Sequence, residues 1–150
     1  MGILLDTSVL IRLANRNDSQ YTVAASAILA LHKRNEVLHV APQNLIEFRN
    51  VATRPVTLNG LGLSLPEAEA QAADFEKAFP LLEETPAIFP CWKSIVQSLG
   101  IFGKQVHDAR LVAICHAHQV GQLLTFNVVH FQRMASLAPS LIVISPGAVS

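Results

Sequence analysis

The chain has 150 residues, is 51% hydrophobic, and carries 11 basic and 11 acidic residues for a formal net charge of +0. That length predicts one domain, residues 1–150, able to bury roughly 70% of its unfolded surface without a disulfide or structural metal. A balanced charge excludes a grip on duplex nucleic acid through many Lys and Arg phosphate contacts, so any nucleic acid must be held by a small patch or through a metal.

The two cysteines, Cys91 and Cys115, match no zinc spacing and form no disulfide framework. No basic stretch precedes the first apolar run, Asp6 interrupts that run early, and no uncharged apolar stretch reaches the ~20 residues of a membrane helix. These features predict no signal peptide, no membrane span and a reducing, cytoplasmic setting.

Residues 3–5 read as a buried strand that stops at Asp6. A helix follows directly, to about Arg16, with Thr7 or Ser8 as its cap and Val9, Leu10 and Leu13 as its apolar stripe. A polar loop leads to a second amphipathic helix over 22–35, with Val23, Ala27, Ile28 and Leu31 on one face. Residues 37–40 form a short strand. Pro42 opens a third helix to about Thr53, with Leu45, Ile46 and Val51 inward and Glu47 and Arg49 among them. Residues 59–62, Asn-Gly-Leu-Gly, are the stretch where mobility is expected. Ser64 and Glu67 have the spacing of a capping box for a helix to about Ala78, whose face is Ala72, Phe75 and Phe79.

Residues 80–90 read as a helix end and an extended segment. Pro90 starts a helix to Leu99 with Trp92, Ile95, Val96 and Leu99 inward. A central helix spans 106–119, a strand 122–126, a short helix 129–136 and a last strand 141–145. Alternating strands and helices predict an α/β fold: a parallel sheet of about four to five strands, flanked by helices in three layers, with right-handed crossovers.

Four positions carry candidate chemistry: Asp6 after the first strand, Glu47 on the helix after the second, Asp108 early in the central helix, and Asn127 after the strand ending in Thr125-Phe126. In open parallel sheets ligands bind at the carboxyl edge, where Asp6 falls. Each acid interrupts an apolar pattern, and a buried unpaired carboxylate costs several kcal/mol. Few cations lie nearby in sequence. Hard divalent cations take oxygen ligands, and magnesium commonly takes one or two carboxylates with waters and phosphate.

Other readings apply to each position. Asp6 could cap a helix, and Asp108 could favour a helix dipole by ~0.3–1 kcal/mol. Glu47 could pair with Arg49 or Arg54, and Asn127 could cap the helix after it. Lys104 and Arg110, beside Asp108, could hold phosphate or be plain solvated cations. Thr7, Ser8 and Thr125 could bond Asp6 or a phosphate. His107 could be a general acid or a structural histidine, and His116 and His118 fall on different helix faces. Trp92 and the phenylalanines have the spacing of core residues.

The runs Leu5-Asp6-Thr7-Ser8-Val9-Leu10-Ile11, Asn44-Leu45-Ile46-Glu47-Phe48, Val106-His107-Asp108-Ala109-Arg110, and Leu124-Thr125-Phe126-Asn127 followed by His130-Phe131 occur in this order over almost the whole chain. Together they resemble the PIN-domain ribonucleases, and among them the VapC-type toxins of type II toxin–antitoxin systems. The resemblance implies a PIN-like fold in which Asp6, Glu47 and Asp108 bind Mg2+ or Mn2+. A metal-activated water would then cut an RNA phosphodiester. It also implies Asn127 as a fourth site residue, where the family commonly has Asp. An amide brings no charge, which weakens a second metal and suits a one-metal mechanism or metal binding assisted by the substrate, with two metals as the alternative. The implied partners are RNA, a small antitoxin whose tail enters the active-site groove with a cation, and a second copy of the chain. Helix faces near Val23 and Phe75 are candidate dimer surfaces.

Two competing readings come from other classes. One is a non-catalytic PIN-like RNA-binding module, for which Asn127 speaks. The other is a phosphatase-like hydrolase with Asp6 as nucleophile, against which stands Ser8, where such enzymes carry a second Asp.

Overall fold

The computed structural model describes residues 2–137 and 141–150. Four strands, β1 (Gly2–Leu5), β2 (Val37–His39), β3 (Gln122–Leu124) and β4 (Ile142–Ile144), form one sheet in the order β2-β1-β3-β4. All three pairings are parallel, with Leu4 opposite His39 on one side and Leu123 on the other, and Leu124 opposite Ile144. Val40 extends the β2 edge through a parallel bridge to Leu81.

Among the described residues seven α-helices flank the sheet: α1 (Thr7–Leu13), α2 (Tyr21–Lys33), α3 (Pro42–Thr53), α4 (Leu65–Ala78), α5 (Ile88–Leu99), α6 (Gln105–Ala117) and α7 (Val128–Ala135). Successive strand side chains point to opposite faces. Accordingly, Ile3 and Leu5 of β1 join a core cluster with Val9, Leu31, Phe48 and Phe75 from α1 to α4. Leu4 joins the opposite cluster with Ile95, Val112 and Phe131 from α5 to α7. Both faces of the sheet are covered, so the strands read as continuous apolar runs and not as alternation. This is the three-layer α/β arrangement predicted above, with four strands among the described residues.

Several boundaries and faces differ from the sequence reading. Asp6, in extended conformation, is the N-cap residue of α1, and Thr7 and Ser8 lie inside the helix. Their hydroxyls are used elsewhere, as described below. α1 ends at Leu13, three residues before Arg16. The inward face of α3 is Leu45, Phe48 and Ala52, while Ile46 is 68% exposed. α5 begins at Ile88, which places Pro90 in its first turn, where its missing N–H costs no helical bond.

The loop over 59–62, expected to be mobile, is tied down. The amides of Gly60, Leu61, Gly62 and Leu63 donate to the carbonyls of Pro55, Val51, Arg54 and Ala52. Three of those carbonyls belong to the last turn and cap of α3, whose oxygens have no helical partner. A Cβ at Gly60 would fall 1.9 Å from the Arg54 carbonyl oxygen, so only glycine fits this return. The Ser64–Glu67 capping box forms as predicted.

Phe75 is buried, edge-on to Phe48 at 5.1 Å and stacked on Phe79. It is core and cannot serve as a dimer surface. Burial raises both thiols, and pushes Cys115 up to about 12, so it is an inert core side chain. Among the described residues, no helix is long and apolar enough to cross a membrane.

Candidate active site

The strand order reverses at β1. The chain leaves it for β2 on one side and returns through β3 on the other. The carboxyl ends of β1 and β3 therefore border the crevice where such sheets bind ligands. Asp6 stands there, its backbone N–H donating to the Leu124 carbonyl at 2.9 Å.

The Asp6 side chain is almost fully buried, at 5% exposure. Its Oδ2 accepts two short hydrogen bonds, from Ser8 Oγ at 2.6 Å and Thr125 Oγ1 at 2.7 Å. Each hydroxyl in turn accepts a backbone N–H: Phe126 donates to Ser8 at 3.2 Å and Asn127 to Thr125 at 2.9 Å. Bonds to an ionised oxygen are stronger than neutral ones, so this pair fixes the Asp6 rotamer and leaves Oδ1 as the oxygen for another partner. Both hydroxyls come from positions named in the sequence, and both are buried against the carboxylate.

Glu47 reaches the same crevice from α3. Thr7 Oγ1 donates to its Oε1 at 2.9 Å, and Asn44 Nδ2 donates to Thr7 Oγ1 at 3.2 Å. Asn44 Oδ1 accepts the Ala41 N–H at 2.8 Å, which anchors the start of α3. Gln43 Nε2 donates to the His107 carbonyl at 2.8 Å and lies 3.5 Å from Glu47 Oε1. Burial raises the Glu47 carboxyl above its ordinary range; the Thr7 bond opposes this, and the charge of Asp6 adds to it. The alternative pairing of Glu47 with Arg49 or Arg54 is overturned. Arg49 pairs with Glu69, and Arg54 donates to the Asn59 carbonyl.

Asp108 comes from the first turns of α6, where its side chain is 25% exposed. Burial, then the charges of Asp6 and Glu47, push its carboxyl up to about 6, with His130 and His107 opposing. His130 Nδ1, on α7, lies 3.8 Å from Asp108 Oδ2. Three carboxylates from three elements thus feel one another's charge, and among the described residues none of them pairs with a Lys or Arg. The raised Glu47 and Asp108 carboxyls reflect burial first and the neighbouring negative charge second.

An all-oxygen, uncompensated acidic set suits a hard divalent cation. Among the described residues, no three His, Cys, Asp or Glu side chains are arranged to hold an ion by themselves. The set suits an ion that completes its shell with water or phosphate, which is the habit of magnesium.

The remaining candidates are placed differently. Arg110 donates to Gln43 Oε1 at 3.2 Å and pairs with Glu84 at 2.6 Å, so it is a held cation and not a free one. It lines a cleft of about 530 Å3 with Gln43, Ile46, Glu47, Asn50, Glu84 and His107. Lys104 is exposed at the N-cap of α6. Asn127 is the N-cap residue of α7, but its exposed side chain makes no capping bond.

The sequence reading missed Gln43, Asn44, Glu84 and the His130–Asp108 approach. Gln43 and Asn44 carried a usable signal, because they stand at the start of a Pro-initiated helix and Gln43 lies one turn before Glu47. Glu84 carried none, since Arg110 lies 26 positions away, and His130 stood among the runs that carry the resemblance with nothing to tie it to Asp108, 22 positions earlier.

No curated protein matches the chain. Several solved structures match it in fold. VapBC2 from Rickettsia felis, bound to a promoter DNA fragment, superposes with a TM-score of 0.70 at 16% identity, over 97% of this chain and 98% of that one. VapBC-1 from nontypeable Haemophilus influenzae gives 0.69 at 17% identity, over 97% and 98%. VapC20 from Mycobacterium tuberculosis, described as a toxin that cleaves the sarcin–ricin loop, gives 0.63 at 17%, over 90% and 95%. At such identities the likeness establishes the fold. The PIN domain family model matches residues 3–137, nearly the full length, and the chain belongs to the PIN domain family.

Proposed function

We propose that the protein is a metal-dependent endoribonuclease, the toxin of a type II toxin–antitoxin pair, acting in the cytoplasm as a single domain over residues 1–150. The observation that carries this reading is the meeting of Asp6, Glu47 and Asp108 at the switch point of the sheet, electrically coupled and without a Lys or Arg partner among the described residues. The VapBC complexes and the RNA-cleaving toxin that share the fold support the antitoxin and RNA parts of it.

Asp6 and Asp108 would hold Mg2+ or Mn2+, and Glu47 would be a further ligand or orient the attacking water. A bound divalent cation supplies a water of lowered pKa and a counter-charge for the phosphate. Ser8 and Thr125 hold Asp6 in place, and Thr7, backed by Asn44, holds Glu47. Arg110 and Lys104 would meet RNA phosphate at the rim. Asn127, at the N-cap of α7, would position water without adding charge, which suits one metal. The partners are RNA, an antitoxin segment lying in the cleft beside Glu47, and a second copy of the chain.

A second reading is a non-catalytic RNA-binding PIN domain, favoured by the uncharged, exposed Asn127. One experiment separates the two. Purified protein is incubated with labelled cellular RNA in manganese, magnesium or chelator, beside Asp6→Asn and Asp108→Asn. Metal-dependent cutting lost in both variants supports the nuclease. A folded wild type that binds manganese and RNA but cuts nothing supports the binding module.

A further inference from the structure

The sequence pattern places the aromatic residues in the core, and Phe48, Phe75, Phe79 and Phe131 are there. Phe89 is not. It sits in the first turn of α5, 63% exposed, with its ring stacked on Trp92 at 5.6 Å and 30°. Trp92 is the chain's single tryptophan. Its indole Nε1–H donates to the Val106 carbonyl at 2.7 Å, so α6 holds the ring in a fixed orientation. Phe89, Trp92, Val106, His107 and Arg110 line a cleft of about 210 Å3. His107 and Arg110 also line the larger cleft beside Glu47. The two clefts thus share a wall along α6, formed by His107 and Arg110.

We propose that this aromatic cleft between α5 and α6 is a stacking subsite for one unpaired nucleobase of the RNA, next to the phosphate that meets the carboxylates. The inference rests on the ribonuclease reading and adds a base-binding residue, Phe89, to it.

The chemistry favours a base over an apolar protein segment. The cleft is small and carries a guanidinium and an imidazole in its wall, which suits a flat, polar-edged ring attached to a phosphate. Bases of single-stranded RNA are held by aromatic faces and Arg planes in this way. Gln43 and Glu84 fix the Arg110 guanidinium, so it is pre-oriented. With its N–H committed to Val106, Trp92 offers only apolar ring surface, and stacking on it tolerates different bases.

Trp92 is also the reporter. The full chain is titrated with a single-stranded decaribonucleotide in chelator, which keeps the RNA whole, and Trp92 emission is followed. A base-free ribose-phosphate decamer is titrated in parallel. The expected result is saturable quenching by the RNA and little by the base-free oligomer. Phe89→Ala should bind the RNA about tenfold more weakly, within the range for loss of one base–aromatic stack, and Phe89→Tyr should stay within about twofold of wild type. Unchanged emission at saturating RNA, equal quenching by the base-free oligomer, or wild-type affinity in Phe89→Ala would overturn the proposal and leave the aromatic face to a protein partner. Cleavage in manganese is measured on the same proteins. RNA cut at wild-type rates by Phe89→Ala sinks the subsite alone, whereas Phe89-dependent binding without any cleavage sinks the nuclease reading and keeps the subsite.

Discussion

Replacing Asp108 with asparagine is expected to stabilise the metal-free protein at neutral pH while abolishing cleavage. The Asp108 carboxyl is raised from 3.8 to about 6, by burial first and then by Asp6 and Glu47. At 1.36 kcal/mol per unit, holding it ionised in the folded state costs about 3 kcal/mol at pH 7. Its partial exposure reduces the gain expected from a neutral isostere to about 1–3 kcal/mol, or roughly 3–10 °C in Tm for a chain of this length.

The pH dependence follows from the same shift. The folded state binds the proton more tightly than the unfolded chain, so wild-type stability falls as pH rises from about 4 through about 6. Asp108→Asn has no such group and lacks that part of the slope. The two proteins should converge near pH 4 and separate by pH 7. Manganese at a hundredfold its dissociation constant should return about 2.7 kcal/mol to the wild type and little to the variant, closing the gap. Urea unfolding at pH 4.5, 6 and 7.5, with and without manganese, measures all of this. A variant less stable than wild type at pH 7.5, or a gain independent of pH, would refute the claim that burial and the neighbouring acids strain Asp108.

Thr125→Val removes one of two donors to Asp6 Oδ2 and should cost about 1–3 kcal/mol, with weaker manganese binding by calorimetry. Combined with Ser8→Ala the losses should be non-additive, because both hydroxyls serve one oxygen. Thr7→Val leaves Glu47 without its closest donor, so the acid limb of the pH–rate profile should move to higher pH. Phe48→Ala opens the core beside Phe75 and should cost about 3–5 kcal/mol in urea unfolding. Arg110→Ala frees Glu84 and Gln43 and should raise the KM for RNA more than it lowers kcat.

Much of this molecule was legible in its sequence, because short apolar runs and 3.6-residue periodicity record burial directly. Those patterns gave the α/β class, the parallel sheet and the positions of the helices. The acids at 6, 47 and 108 stood out because charge in an apolar pattern needs a reason. Local pattern misjudged side chains whose partner is remote. Thr7 looked like a cap, yet its hydroxyl is drawn to Glu47, 40 positions on, once α1 and α3 pack together. Ile46 looked buried and Phe89 looked like core, since periodicity cannot say where a helix face outruns its neighbours. The loop over 59–62 looked loose because glycine permits many conformations, and only the unpaired carbonyls at the end of α3 select one. The sequence by itself determined which residues carry charge into the interior. The tertiary structure alone decided that the sheet reverses its order at β1, and that Asp108 is buried beside Asp6 and Glu47; that burial first, and then those charges, raise it to about 6.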